Sequence, residues 1–223
     1  MTVVDVQVVD VQTTLGEARF HVSRCEAHVA PRALVVLGHG AGGGVEAREL
    51  TTLSEGLPAA GFDVVLVEQP WRVAGRKVAP APARLDTAFI ETAPQLDRFR
   101  RGDAPLVVGG RSAGARVACR TSATVHAAAV LALAFPLHPP GRPDRSRMNE
   151  LATGRPTLVV QGDRDPFGGP DEFHDAPDEV VVTAIAEADH GFHVRASGSI
   201  TTGEATELIL ARTLAWLRGN PWW

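Results

Sequence analysis

The chain has no tyrosine, a single lysine (Lys77) and only two cysteines, Cys25 and Cys119. Two cysteines are too few for a disulfide-built scaffold. With no export signal they read as reduced thiols, and a cytoplasmic location is expected. Residues 1–12 carry Asp5 and Asp10 and no basic residue, so they are not read as a signal peptide. The longest apolar run, residues 127–137, is far short of the ~20 residues that span a bilayer. A net charge of −4 gives no positive footprint for nucleic acid or an anionic membrane. No Cys/His cluster has metal-ligand spacing, so neither metal nor cofactor is expected. Without tyrosine, no phenolic hydroxyl is available to serve in any site.

What is present points to a globular protein. Of 223 residues, 44% are hydrophobic and 22% charged, which fits one soluble domain over residues 1–223. Residues 3–9 are β-branched and partly alternating, residues 13–17 break the pattern, and residues 18–23 resume it. This pair reads as an antiparallel hairpin. From Ala33 short apolar runs alternate with helical patterns. The runs are 33–37, 64–67, 106–108, 127–133, 157–160 and 180–185, and continuous Val/Leu/Ile suits parallel strands buried on both faces. Segments 46–60, 85–100 and 113–121 suit crossover helices. Residues 204–218 read as a closing amphipathic helix with Leu208, Leu214 and Leu217 on related turns. The expected fold is α/β: a mostly parallel sheet of about eight strands, an antiparallel hairpin at one edge, and helices on both faces.

In such sheets, sites form at the carboxyl ends of the strands. One strand end carries Gly110-Arg111-Ser112-Ala113-Gly114, a match to G-x-S-x-G. Chance gives roughly 0.07 such matches in a chain of this composition, so context decides its weight. Here Leu106-Val107-Val108 precedes it and an alanine-rich helix follows, which is the context the motif needs. The spacing is steric: small residues two before and two after the serine let strand and helix approach, and the sharp turn exposes the hydroxyl. It also puts the Ala113 N–H at a helix N-terminus, facing a developing oxyanion.

A serine hydroxyl needs a base, oriented by an acid. Asp165 and His190 follow the next strands at their carboxyl ends, in the chain order Ser, acid, His. Asp163 is the alternative acid and could instead hold its loop through backbone hydrogen bonds. His193 is the alternative base, but His190 comes first after its strand. His138 either lines the site or is a packed or capping histidine. His21, His28, His126 and His174 have no motif around them and read as structural or surface residues.

The loop His39-Gly40-Ala41-Gly42-Gly43-Gly44 follows the 33–37 strand and suits a second oxyanion donor, the N–H of Ala41 or, failing that, Gly42. A rival reading exists. Gly38-x-Gly40-x-x-Gly43 is literally G-x-G-x-x-G, and Glu68 ends the next strand, as in a dinucleotide fingerprint. Two strand-like segments precede this loop, whereas the fingerprint normally opens the sheet, and the rival leaves Ser112, Asp165 and His190 as coincidences.

With these residues assembled, the chain resembles the α/β-hydrolase superfamily. More narrowly, it resembles the small dienelactone-hydrolase-related family that includes testis-expressed protein thirty and the hydrolase-like domain of NSL complex subunit three. The match is carried by His39-Gly40-Ala41-Gly42, Gly109-Gly110-Arg111-Ser112-Ala113-Gly114-Ala115-Arg116, and Phe135-Pro136-Leu137-His138-Pro139-Pro140-Gly141. Arg147-Met148-Asn149-Glu150-Leu151, Gly162-Asp163-Arg164-Asp165 and Asp189-His190 add to it. The resemblance implies Ser112 as nucleophile, Asp165 as acid and His190 as base. Dienelactone hydrolases use a cysteine where this chain has Ser112, so lactone hydrolysis is not implied.

The expected function is a serine hydrolase acting on small acyl esters or thioesters through an acyl-enzyme, with a small-molecule substrate and no nucleic-acid or membrane partner. The alternative from another class is a non-catalytic interaction module that keeps the architecture. The segment from Pro136 to Pro156 is too short for a cap domain, so the site should be open and its pocket shallow. Arg142, Arg145 and Arg147 lie there, either selecting an acidic acyl group or pairing locally. Arg111 and Arg116 flank the elbow and are expected to pair structurally. Trp216 is expected to pack the last helix, and Trp222-Trp223 to cover apolar surface within the monomer or in a homodimer.

Overall fold

A computed structural model describes residues 6–26 and 30–220. Residues 3–5, His28 and the Trp222-Trp223 pair lie outside the described residues. The strands are β1 (Val6–Thr13), β2 (Gly16–Ser23), β3 (Leu34–Gly38), β4 (Asp63–Glu68), β5 (Leu106–Arg111), β6 (Ala129–Leu133), β7 (Thr157–Gly162) and β8 (Val180–Ile185). The helices are α1 (Arg48–Gly56), the single-turn α2 (Pro70–Val73), α3 (Pro82–Leu96), α4 (Ala113–Thr121) and α5 (Thr202–Gly219).

The strands form one sheet in the order β1-β2-β4-β3-β5-β6-β7-β8. β2 runs antiparallel to β1 and β4, and every other pairing is parallel. This is the expected architecture. The hairpin turn is tighter than its composition suggests. Thr13 pairs with Gly16, and the Thr13 hydroxyl accepts the Leu15 N–H and donates to the Gly16 carbonyl, so Thr13 and Gly16 remain in the strands.

Alternate residues of each central strand enter opposite core layers, as a period of two requires. Leu34 and Val36 pack with Phe89 of α3 and Val117 of α4; Val35 and Leu37 pack with Leu53 of α1 and Ile209 of α5. Helices therefore cover both faces. Two expectations fail on the same side of the molecule. β8 is an edge strand rather than one buried on both faces, and Val181 is 51% exposed. On α5 the core-facing stripe is Ala205, Ile209, Thr213 and Leu217, while Leu208 sits at the solvent-facing edge. Periodicity finds the helix but not which of two neighbouring stripes meets the sheet. The 46–60 segment is not one helix either: α1 ends at Gly56, and Pro58 starts a separate 3-10 turn.

The chain leaves β3 towards β4 and then crosses to β5 on the other side of β3. That reversal opens a crevice at the carboxyl ends of β3 and β5. Between β6 and β7 the described residues hold two single 3-10 turns, Pro143–Arg145 and Met148–Leu151, so no cap is inserted there. Among the described residues no helix is long and apolar enough to cross a membrane.

Candidate active site

Ser112 sits at the sharp corner between β5 and α4, with φ +54 and ψ −110. A non-glycine residue holds such a backbone only when its surroundings over-determine it. Here the Ser112 N–H is pinned to the Leu133 carbonyl at the end of β6, at 2.9 Å. The flanking glycines explain how the corner closes. A Cβ on Gly110 or on Gly114 would lie 2.4 Å from the Gly38 carbonyl oxygen, so any side chain there would push β3 away from the elbow.

The structure brings the three expected side chains together. His190 Nε2 is 2.9 Å from Ser112 Oγ, and His190 Nδ1 is 2.8 Å from Asp165 Oδ2. The Asp165 side chain is fully buried, that of His190 is 17% exposed, and Ser112 is half-buried, so the line runs from the interior to the crevice. The buried Asp165 carboxyl group is held by hydrogen bonds on both oxygens. Oδ1 accepts the Phe167 N–H at 2.8 Å, and Oδ2 also accepts from Gln161 Nε2 at 2.8 Å. Asp163, the alternative acid, is exposed. His193, the alternative base, is exposed, and it joins the loop through its backbone: its N–H donates to Asp189 Oδ1 and its carbonyl accepts the Asp189 N–H, both at 3.0 Å.

Several residues around this line carried no motif. Gln161, which follows the apolar Leu158-Val159-Val160 run of β7, bonds Asp165 and holds the Gly168 carbonyl, both at 2.8 Å. The Phe167 ring packs on the His190 imidazole with centroids 4.3 Å apart. Asp189 shapes the histidine loop by accepting the Gly191 and His193 N–H groups at 2.8 and 3.0 Å. Arg111, inside the serine motif, lies beside buried Glu49 of α1 at 3.2 Å and donates to the His190 carbonyl at 3.1 Å. Its guanidinium fills the space where a Gly40 Cβ would stand, 2.9 Å away.

The glycine loop is set by His39. This ring is 3% exposed. Its Nε2 accepts the Gln69 N–H at 3.1 Å, which requires the proton on Nδ1, and Nδ1–H donates to the Gly40 carbonyl at 2.9 Å. Burial pushes its pKa below the ordinary value of 6.5, against the raising effect of the Gly40 carbonyl. Ala41 and Ala113, the expected oxyanion donors, line one small cavity together. Neither N–H has a hydrogen-bond partner among the described residues. The glycines are not used as a dinucleotide fingerprint uses them: a Cβ on Gly43 would meet open space, whereas the third glycine of that motif serves close helix–strand packing.

The remaining candidates are placed away from this line. His138 bonds Glu172 Oε2 and the Pro139 carbonyl, both at 2.9 Å, which is the packed reading. Arg142 pairs with Asp144, and Arg147 donates to the Pro136 carbonyl. Arg116 pairs with Glu150, which also takes Arg120. Cys25 and Cys119 are buried and not joined, and burial pushes the Cys119 thiol up to about 12. Among the described residues no group of three or more His, Cys, Asp or Glu is placed to hold a metal ion.

A family model described as an alpha/beta hydrolase domain matches residues 31–218. Solved structures share the fold at low identity. A serine hydrolase without a lid from Xanthomonas campestris is 19% identical, with a TM-score of 0.72 and 97% of each chain covered. The Est1E protein of Butyrivibrio proteoclasticus is 12% identical, with a TM-score of 0.71, covering 95% of this chain and 99% of that one. A dienelactone hydrolase from Anabaena variabilis is 16% identical, with a TM-score of 0.70, covering 96% and 97%. No curated protein sequence matches the chain.

Proposed function

The chain belongs to this alpha/beta hydrolase family, and from that premise we propose that it is a serine hydrolase acting on small acyl esters or thioesters. The observation that carries the proposal is the unbroken line Ser112 Oγ–His190 Nε2 and His190 Nδ1–Asp165 Oδ2, at 2.9 and 2.8 Å. His190 takes the Ser112 proton as Oγ attacks the carbonyl carbon. Buried Asp165 holds the imidazole with Nδ1 protonated and stabilises the imidazolium that forms. The N–H groups of Ala113 and Ala41 receive the oxyanion; losing one such donor costs about 10²–10³ in turnover. His190 then protonates the leaving group, and water cleaves the acyl-enzyme by the same route in reverse. The family match and the serine-hydrolase name of the Xanthomonas campestris neighbour support this reading. The narrower kinship with the dienelactone-hydrolase-related family of testis-expressed protein thirty is part of the proposal, resting on the motifs quoted above.

Labelling with a fluorophosphonate and turnover of p-nitrophenyl acetate test it. Ser112→Ala should abolish labelling and lower turnover to near background while melting like the wild type. Asp165→Asn should lower kcat by about 10⁴, and Asp163→Asn should leave it within a few-fold. Wild-type protein that neither labels nor turns over would leave the interaction-module alternative in place.

A further inference from the structure

The motif Phe135-Pro136-Leu137-His138-Pro139-Pro140-Gly141 lies outside the Ser112–His190–Asp165 line, yet it seats the loop that carries the acid. Residues 163–169 hold Asp165 and the Phe167 ring that packs on His190. The His138 N–H donates to the Phe167 carbonyl at 3.0 Å. A Cβ on Gly168 would lie 2.8 Å from Leu137 Cβ, so the two segments are in direct contact. At the end of the loop, Glu172 Oε1 accepts the Gly169 N–H at 2.8 Å, and Glu172 Oε2 lies 2.9 Å from His138 Nε2. The His138 ring thus ties down, through Glu172, the far end of the loop that carries Asp165.

The charge of this ring follows from its partners. The Pro139 carbonyl on Nδ1 and the Glu172 carboxylate on Nε2 are both acceptors, each at 2.9 Å. Both ring nitrogens must therefore donate, and only an imidazolium does that. Glu172 is ionised, because the Gly169 N–H, and then His138, hold its carboxyl below the ordinary 4.5. The Pro139 carbonyl, and then Glu172, raise the ring's pKa above the ordinary 6.5, against burial and the Arg147 charge. His174 and Asp175 line the same cavity as the ring. A neutral ring donates from one nitrogen only, which leaves the carboxylate or the carbonyl without its donor. We infer that His138 and Glu172 are positioning residues: as an imidazolium–carboxylate pair they clamp the acid loop so that Asp165 meets His190 Nδ1, and loss of the His138 proton slackens the clamp and slows turnover. The inference rests on the serine-hydrolase reading. The effect falls on kcat, because both residues act through Asp165. Its sign opposes that of the base. His190 must be unprotonated to take the serine proton, whereas His138 must be protonated to clamp, so the rate rises and then falls with pH.

The experiment measures kcat and KM for p-nitrophenyl acetate between pH 5.5 and 9, corrected for spontaneous hydrolysis. It uses the full chain as wild type, His138→Ala and Glu172→Gln, with fluorophosphonate labelling and a melting curve for each. Wild-type kcat should pass through a maximum and fall on the alkaline side, above pH 6.5. His138→Ala should lower kcat at the wild-type optimum about tenfold, below the ~10² of a 1 Å misplacement, with KM within about twofold and no alkaline fall. The amide of Glu172→Gln keeps an oxygen for the Gly169 N–H and offers an N–H to a neutral ring, so this variant should also lose the alkaline fall. If His138→Ala does not melt cooperatively, the wild-type profile and Glu172→Gln carry the decision. A labelled wild type with no alkaline fall overturns the inference alone. So does a folded His138→Ala with the wild-type kcat and profile, or a folded Glu172→Gln whose alkaline fall is unchanged. A wild type that neither labels nor turns over overturns the hydrolase reading and the inference together.

Discussion

At the scale of single residues, the site depends on side chains whose protonation or position is set by one or two contacts. His39 is the clearest. Its Nε2 must stay unprotonated to accept the Gln69 N–H, and burial already holds its pKa below 6.5. In the unfolded chain the ring titrates at about 6.5. As pH falls below that value the unfolded chain binds the proton first, so the folded state loses stability until pH reaches the depressed folded pKa. The contribution is whole above pH 6.5. His138 works in the opposite sense: its pKa is raised, chiefly by the Pro139 carbonyl, so its contribution is whole below 6.5 and is lost as pH rises through the raised value. The expected outcome is that His39→Asn flattens the fall in melting temperature between pH 7 and 5.5. Thermal melts of both proteins across that range measure it, and equal slopes would refute the role.

Asp165 and Asp163 show the limit of reading residues from sequence. They stand two positions apart on one loop after β7, and both side chains could serve. The buried one is fixed by Gln161 and the Phe167 N–H, neither of which a motif announces. A polar glutamine near the end of an apolar strand was the available signal.

At the scale of elements, the site is a junction of three loops tied by Arg111. This residue reaches from the elbow to Glu49 of α1 and to the His190 carbonyl. Glu49 is 4% exposed, so Arg111→Met would strand a buried carboxylate. Removing one partner of a buried pair costs about 3–5 kcal/mol. The double variant Arg111→Met/Glu49→Gln should recover a large part of that loss, as read by urea unfolding midpoints. If the single variant unfolds like wild type, the pair does not hold the junction. The elbow itself was readable as sequence, because the demand for glycine at 110 and 114 is local to a strand–turn–helix corner. The structure adds the object those glycines avoid, the Gly38 carbonyl of the neighbouring strand.

At the scale of the whole molecule, stability is graded across the sheet. β3, β5 and β6 are central, and all but the last residue of β5 are buried. β1 and β8 are edges with exposed residues along their length. Regions with few buried contacts open first. Native-state hydrogen exchange should find the amides of β1 and β8 exchanging well before those of β5 and β6, and the reverse order would contradict the layering. Ser112 and the glycine loop follow the buried strands β5 and β3, while the histidine loop follows the edge strand β8. His190 thus follows an edge strand, and Arg111, Asp189 and the Phe167 ring hold its loop and ring in place.

The amino-acid sequence by itself determined the α/β architecture, the leading hairpin, and the elbow that carries Ser112. These follow from local chemistry: strand and helix periods, turn residues, and the steric rule of the serine elbow. Tertiary structure alone decided that β8 is an edge, that Leu208 turns outward, and that Asp165 rather than Asp163 meets His190. Each of these depends on which distant segment fills the space beside a residue. Such neighbours are chosen by packing over the whole chain, and no window of sequence contains them.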